Sequence, residues 1–210
     1  MRPVKNNLFD FEDGNGLVEA HRHKKGGGWV ANTAIIGPDV YLGPEARVFN
    51  TASVYGNCII NGQSRVCDAA VVEGEVSIHN HVEVSDSAHI SGLIKLYDRV
   101  RVCGYADLGG SFSVYDRVNL SGDAQLCLGE GAYLHGEVKI DFTPVVIADL
   151  LEWPIIITRN KPKWVMVGCQ SHPLSYFLKN ARLFGRAYGV SERDIRLATD
   201  IVGRIGKRSL

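Results

Sequence analysis

The side chains able to do chemistry in this 210-residue chain recur at a fixed interval. His79, Tyr97 and Tyr115 fall in the phrases "IHNHVEV", "LYDRVRV" and "VYDRVNL", which follow one another at a constant step. Asn80, Asp98 and Asp116 keep the same step, as do His81, Arg99 and Arg117; His135 joins the ring series if a two-residue slip is allowed at "LGEGAYL". Exposed Tyr and Arg are residue types that carry binding energy at protein surfaces. The candidate binding set is therefore His79, His81, Tyr97, Arg99, Tyr115, Arg117 and His135. A second chemistry is acid–base: Asp107 follows His89 by one step, and a neighbouring carboxylate can orient an imidazole as a general base. The purely structural role competes with both, because stacked rings and alternating charges stabilise a repeating fold, and Asn and Asp suit its turns.

Metal chemistry is less well specified. His21-x-His23 and Cys169-x2-His172 would together make a tetrahedral ligand set, but nothing in the sequence brings the two ends together, and no metal is assigned. Cys169 with His172 is also a candidate thiolate pair.

The elements that position these residues follow a six-residue clock. Ile36, Leu42, Val48 and every sixth residue to Leu126 are Ile, Leu or Val. Two places before each lies a second small or aliphatic residue, with Ser64 the one polar exception. Residues i and i+2 of a strand share a face, so each hexad reads as a short strand with two inward side chains. Two places after each aliphatic residue comes Gly, Asn, Asp or, early on, Pro38 and Pro44. Gly, Asn and Asp accept positive φ at low cost, so the chain turns once per hexad. Strands separated by such corners coil, and coils stack: a parallel β-helix. The echo from His79 to Tyr97 to Tyr115 sets three hexads to a coil. After the slip the clock resumes at Ala132/Leu134 and Val138/Ile140, which gives six coils and a prism ~29 Å tall at the spacing of paired strands.

This pattern resembles the hexapeptide-repeat proteins, and the resemblance implies a left-handed helix, a hand that the residue pattern does not itself indicate. "GGGWVANTA" before the coils and "IITRNKPKWVMVGCQSHPLSYFL" after them look like a group of bacterial and prophage-encoded members labelled as transferases. In acyltransferase relatives an active-site His faces a groove between subunits of a trimer. The resemblance thus implies His79, His81 or His89, the last oriented by Asp107, as the catalytic residue and acetyl-CoA as cofactor, if the chain is a transferase. The hexads run without the protruding loop such enzymes commonly use to enclose the acyl carrier.

Three regions follow. Residues 1–33 form an N-terminal cap, with short strands in "NLFDFED" and "GLVEAHRH" around Asp13-Gly14-Asn15-Gly16, and Trp29 placed to cover the first coil. Residues 34–141 form the β-helix. Residues 142–210 form an α+β appendage: a hairpin around Asn160-Lys161-Pro162-Lys163, a helix from Pro173 to Gly189, and a helix opened by Ser191 that ends near Ile201 or Val202. The fold class is mainly β.

Lys+Arg and Asp+Glu each number 23. A net charge of zero argues against a general phosphate-binding surface, so no nucleic acid is expected. No apolar run reaches the ~18 residues of a membrane span, the start lacks a secretory apolar region, and five cysteines suit a reducing compartment. These features point to a cytoplasmic chain that engages no membrane. The functional expectation is a binding or scaffold protein, prophage-associated by resemblance, that engages a protein partner through the ring-ladder edge and the C-terminal appendage, with self-association as a trimer in view. The alternative is an acyl-CoA-dependent transferase acting as a trimer.

Overall fold

The computed structural model describes residues 7–134, 139–142, 144–147, 151, 154–159, 161–167 and 170–207. The expected hexads form two-residue strands, such as Ser53–Val54, Ile59–Ile60 and Arg65–Val66, each paired in parallel with its counterpart one coil later. Three walls result. The first holds Ser53–Val54, Val71–Val72 and His89–Ile90; the second holds Ile59–Ile60, Ser77–Ile78 and Leu93–Leu96; the third holds Arg47–Val48, Arg65–Val66, Glu83–Val84 and Arg101–Val102. The result is a mainly β protein, a parallel β-solenoid of about five turns, in rough agreement with the six expected. The slip also falls where expected: Leu108 keeps the regular step and pairs with Leu126, whereas Phe112 pairs with Ala132 rather than with Glu130.

Inward positions alternate with outward ones because strand side chains alternate. Val40, Leu42, Ile60, Ile78, Ile90, Leu96 and Leu108 are fully buried in one continuous core. Each such side chain contributes about 1.5–3 kcal/mol relative to exposure. Ser64 is buried among them and donates to the Asn80 carbonyl at 3.4 Å.

The corners behave as their residue types require. Asn50, Asp68, Asn80, Asp86, Asp98 and Asp116 have φ between 58° and 71°. Pro38 and Pro44 do not share this conformation, since the ring holds φ negative. On the edge between first and second walls the glycines lie backbone to backbone: a Cβ on Gly92 would collide with the Gly110 carbonyl. The strands Asp107–Val114 and Gln125–Leu134 continue around this edge, the first turning at Gly110 with φ +95°, and join the two walls into one ten-stranded sheet.

The N-terminal segment differs from expectation in what it covers. Asn7–Asp10 and Leu17–Arg22 form the expected antiparallel hairpin, and Leu17–Arg22 pairs with Trp29–Ala31 at the foot of the third wall. Val30 points into the core, so alternation turns Trp29 outward, away from the end of the solenoid. There Phe9 stacks on it at 4.3 Å, and Phe11 stacks on Phe49 at 4.9 Å. The hairpin therefore folds back over the outside of the third wall. The base is closed by residues 23–28 instead, through Gly28 N–H to Leu42 O and Leu42 N–H to Lys25 O. His23 is buried there with Nε2 donating to the Val40 carbonyl at 2.9 Å; burial holds its pKa below the ordinary value.

After the last coil, Val145–Ile147, Ile155–Ile157, Trp164–Val167 and Gln170–Pro173 form a four-stranded antiparallel sheet, two strands more than the expected hairpin. Its faces are divided by alternation. Ile156 and Met166 join the solenoid core, while Ile155, Ile157 and Val165 pack with the two helices. Helix α1 spans Leu174–Ala187. Helix α2 spans Glu192–Lys207 and so runs past the expected end, because its apolar stripe continues from Ile195 through Ala198 and Val202 to Ile205. Ser191 caps α2 as expected: its Oγ accepts from Asp194 N–H at 3.1 Å.

Candidate binding edge and groove

The edge between the second and third walls carries the ring ladder. Positive φ at Asn80, Asp98 and Asp116 turns the backbone there, and the Asx side chains then tie coil to coil. Asn80 Nδ2 donates to Asp98 Oδ1 at 3.0 Å, and Asp116 N–H donates to Asp98 Oδ2 at 3.3 Å. With this register held, the residue before each corner is forced into a column. His79 stacks on Tyr97 at 5.2 Å and 12°, and Tyr97 on Tyr115 at 5.1 Å and 4°. The expected set is thus brought together as far as Tyr115, with His81, Arg99 and Arg117 exposed beside it. His135 lies outside the described residues, though Tyr115 N–H donates to the carbonyl of the preceding Leu134 at 2.9 Å.

Below the ladder, where the hairpin leans on the third wall, lies an open groove of about 670 Å³. One side is the foot of the basic column: Glu45, Gln63 and His81. The floor carries Arg47, Arg65 and Glu83, and the far side carries Phe9, Glu12 and Trp29. The hairpin anchors the two arginines. Arg65 donates to the Phe11 carbonyl at 2.9 Å with its guanidinium over the Phe49 ring, and Arg47 meets Glu12 at 3.0 Å. The hydrogen bond from Arg47, and then its charge, hold the Glu12 carboxyl below its ordinary pKa. Glu83 pairs upward with Arg101 at 3.1 Å. Lined by both signs of charge and by ring edges, the groove suits a segment that offers donors and acceptors of both kinds.

Arg47, Arg65 and Arg101 were not among the expected site residues, although the coil-to-coil step that links the ladder also links Arg47 to Arg65. Phe9, Glu12 and Trp29 reach the groove through the hairpin, which carries no period.

His79 and His89, alternatives expected under acyl transfer, stand at different places on the solenoid. His89 does meet Asp107, with Nδ1 to Oδ1 at 3.0 Å, but its Nε2 meets Glu73 at 3.2 Å. Both ring nitrogens are engaged by carboxylates, whereas a general base needs one free for the substrate proton. His89 stands on the first wall; His79 stands at the edge between the other two.

The two halves of the four-ligand set are held at opposite ends of the solenoid. His21 bonds Asn32 beside the first coil, and His172 stacks on Phe184 of α1 at 4.5 Å. Cys169 lies outside the described residues. Among the described residues no group of three or more His, Cys, Asp and Glu is placed to hold a metal ion, and no helix is long and apolar enough to cross a membrane. Burial pushes the Cys67 thiol up to about 12 and raises Cys58 and Cys103 as well. Cys58 and Cys67 are buried and Cys103 half-buried, and a raised pKa lowers the thiolate fraction at each.

The fold defines this chain as a parallel β-solenoid. No family model, curated protein or solved structure matches it.

Proposed function

We propose that this protein is a binding scaffold of hexapeptide-repeat type that holds an extended segment of a partner protein along the edge between its second and third walls. The observation that carries this reading is the continuity of ladder and groove: His81 belongs to the basic column above and lines the groove below. A rigid edge presents Tyr and Arg at fixed spacing with little ordering cost on binding. The mixed charge of Glu45, Arg47, Arg65 and Glu83 matches a polypeptide better than a polyanion.

Site-specific photo-cross-linking tests this. A photoreactive residue at Arg99 and another at Gln63 should capture the same protein from a bacterial lysate, and Arg117→Glu should remove both products. Equal capture from Tyr105, at a different edge, would sink the reading.

Acyl transfer is the second reading, supported by the hexad pattern alone. It predicts that acetyl-CoA raises the melting temperature of a trimeric species, since a ligand bound only by the native state stabilises it by mass action. A flat melting curve from a monomer would remove it.

A further inference from the structure

The zero net charge of the whole chain conceals a partition. Residues 1–141 hold 12 of the 23 Lys+Arg and 18 of the 23 Asp+Glu, so residues 142–210 hold 11 and 5: net −6 against net +6. Each region concentrates its excess on one surface. In the solenoid it is the first wall with its two bounding edges. From residue 49 upward these run through 49–57, 67–75, 85–93, 103–111 and 121–126, which hold six Asp+Glu and no Lys or Arg. The six are Asp68, Glu73, Glu75, Asp86, Asp107 and Asp123, all exposed except the half-buried Asp68. Glu73 and Asp107 hold His89 between them, and none of the six meets a Lys or Arg among the described residues. Tyr105 projects from this surface with 72% of its area exposed. Asp123 stands one coil step above it, and Asp86 accepts from the adjoining Gly104 N–H at 2.8 Å.

In the C-terminal region the excess lies on the helix pair. α1 and α2 pack antiparallel along their length as an αα-hairpin, with Gly185 against Ile195 and Gly206 against Leu174. Residues 174–207 hold seven Lys+Arg and three Asp+Glu. Glu192 takes up Arg182 and Arg186, and Asp200 takes up Arg204. Lys179, Arg193 and Arg196 are exposed and have no ion pair among the described residues. An open groove of about 350 Å³ runs between the helices. Leu178, Ala181 and Ile195 supply its apolar floor, and Lys179 and Arg196 stand at its rim.

The two surfaces match in charge, size and chemistry. One is acidic without a cation, and the other carries cations to spare; such complementarity selects a partner and fixes its register. From Ser53 to Gln125 the wall rises four coil steps, ~19 Å, and the 16-residue α2 is ~24 Å long. A ring flanked by carboxylates suits an apolar groove rimmed by cations, and an exposed Tyr is a residue type that anchors interfaces. A chain's own hairpin is seated past the last coil by the four-stranded sheet, whose Ile156 and Met166 join the solenoid core. The first wall it meets is therefore that of another copy.

We infer that the αα-hairpin of one copy docks on the first wall of a second copy, with Tyr105 entering the groove beside Lys179 and Arg196. The two patches differ, so the contact is heterologous, head to tail. It uses neither the edge between the second and third walls nor the groove below it, and it does not rest on the scaffold reading.

Sedimentation velocity of the full chain over a concentration series tests the inference at ~0.1 and ~1 M salt. The average mass should rise with concentration at the lower salt and stay closer to the monomer at the higher. Glu75→Lys with Asp123→Lys reverses the wall, and Lys179→Glu with Arg196→Glu reverses the hairpin; each variant alone should stay monomeric. Mixed in equal amounts they should form a dimer of one copy of each and nothing larger, because one intact wall then meets one intact hairpin. Tyr105→Ala added to the hairpin variant keeps its charge and should weaken that dimer at least about tenfold. If a reversed variant does not fold, Glu75→Gln with Asp123→Asn and Lys179→Gln with Arg196→Gln give the same pattern with a smaller loss. A monomer at every concentration, a variant that associates as the unaltered chain does, or a mixture without dimer overturns the inference. So does a dimer indifferent to Tyr105→Ala, which would reduce the attraction to net charge.

Discussion

The solenoid and the C-terminal module bury apolar surface by opposite strategies. In the solenoid each coil repeats the contacts of the one below: Ile60 lies under Ile78 and Ile78 under Leu96, all fully buried, with parallel backbone pairing at every step. In the module no contact recurs. Ile155, Ile156 and Ile157 are consecutive and all buried, because a sheet pressed between the last coil and two helices must be apolar on both faces. Repetition makes a rigid, strictly registered edge at the cost of corners that tolerate few residues. The module has more freedom in its turns and correspondingly less redundancy in its core.

Glycine substitution should separate the two regions most sharply. Gly92→Val places a branched side chain at φ +102° against the Gly110 backbone, and should cost roughly 3–5 kcal/mol. Gly189→Ala also meets a positive φ, but with no atom within 4 Å, and should cost only about 1 kcal/mol. Equal shifts in urea midpoints would show that contacts between coils are looser than described.

Core truncation comes next. Ile78→Ala should cost about 2–5 kcal/mol and Phe177→Ala about 3–5 kcal/mol. They should differ in which signal moves: circular dichroism at the helical wavelength should fall before that at the strand wavelength in Phe177→Ala, while the two fall together in Ile78→Ala. Coincident transitions in both variants would mean that module and solenoid unfold as one unit.

Removing the central ring by Tyr97→Ala deletes two stacks and should cost about 1–2 kcal/mol, whereas Tyr97→Phe keeps both and should be nearly neutral. A large loss from the Phe variant would show that the hydroxyl, not the stacking, matters.

The smallest expected effect is on pH dependence, and it appears in both regions. Glu12 is held low by a hydrogen bond and then the charge of Arg47; Glu192 is held low chiefly by a hydrogen bond from Arg186. A carboxyl with a depressed folded pKa adds stability above its unfolded value, near 4.5 for both, and loses it as pH falls through the folded value. Glu12→Gln should therefore flatten the acid limb of the stability curve slightly, as should Glu192→Gln. A variant that steepens it would contradict the sign. Glu12 is exposed and Glu192 half-buried, so salt should weaken the effect at Glu12 more than at Glu192.

The regions also differ in how much of them was legible. Coil length, inward positions, corner residues and the slip at 128–132 follow from residue type alone, since each is decided within a single hexad by alternation and by φ. The ladder of His79, Tyr97 and Tyr115 followed from the same arithmetic, and so could Arg47, Arg65 and Arg101 have done. In the module the α1 stripe and the Ser191 cap were legible because they are local. The strands Val145–Ile147 and Gln170–Pro173 were not, because their pairing partners are set by packing on both faces. The charge partition stands in the sequence too, but the zero total hides it until the domain boundary is drawn.

By itself, then, the sequence determined the periodic part of this protein: the three-walled coil and the columns it stacks. The tertiary structure alone decided that the hairpin folds back over the third wall, that Glu73 takes the second nitrogen of His89, and that a sheet lifts the helix pair clear of the solenoid. Those contacts join segments with no shared period, so local conformational preference cannot specify them; only the burial of apolar faces against one another does.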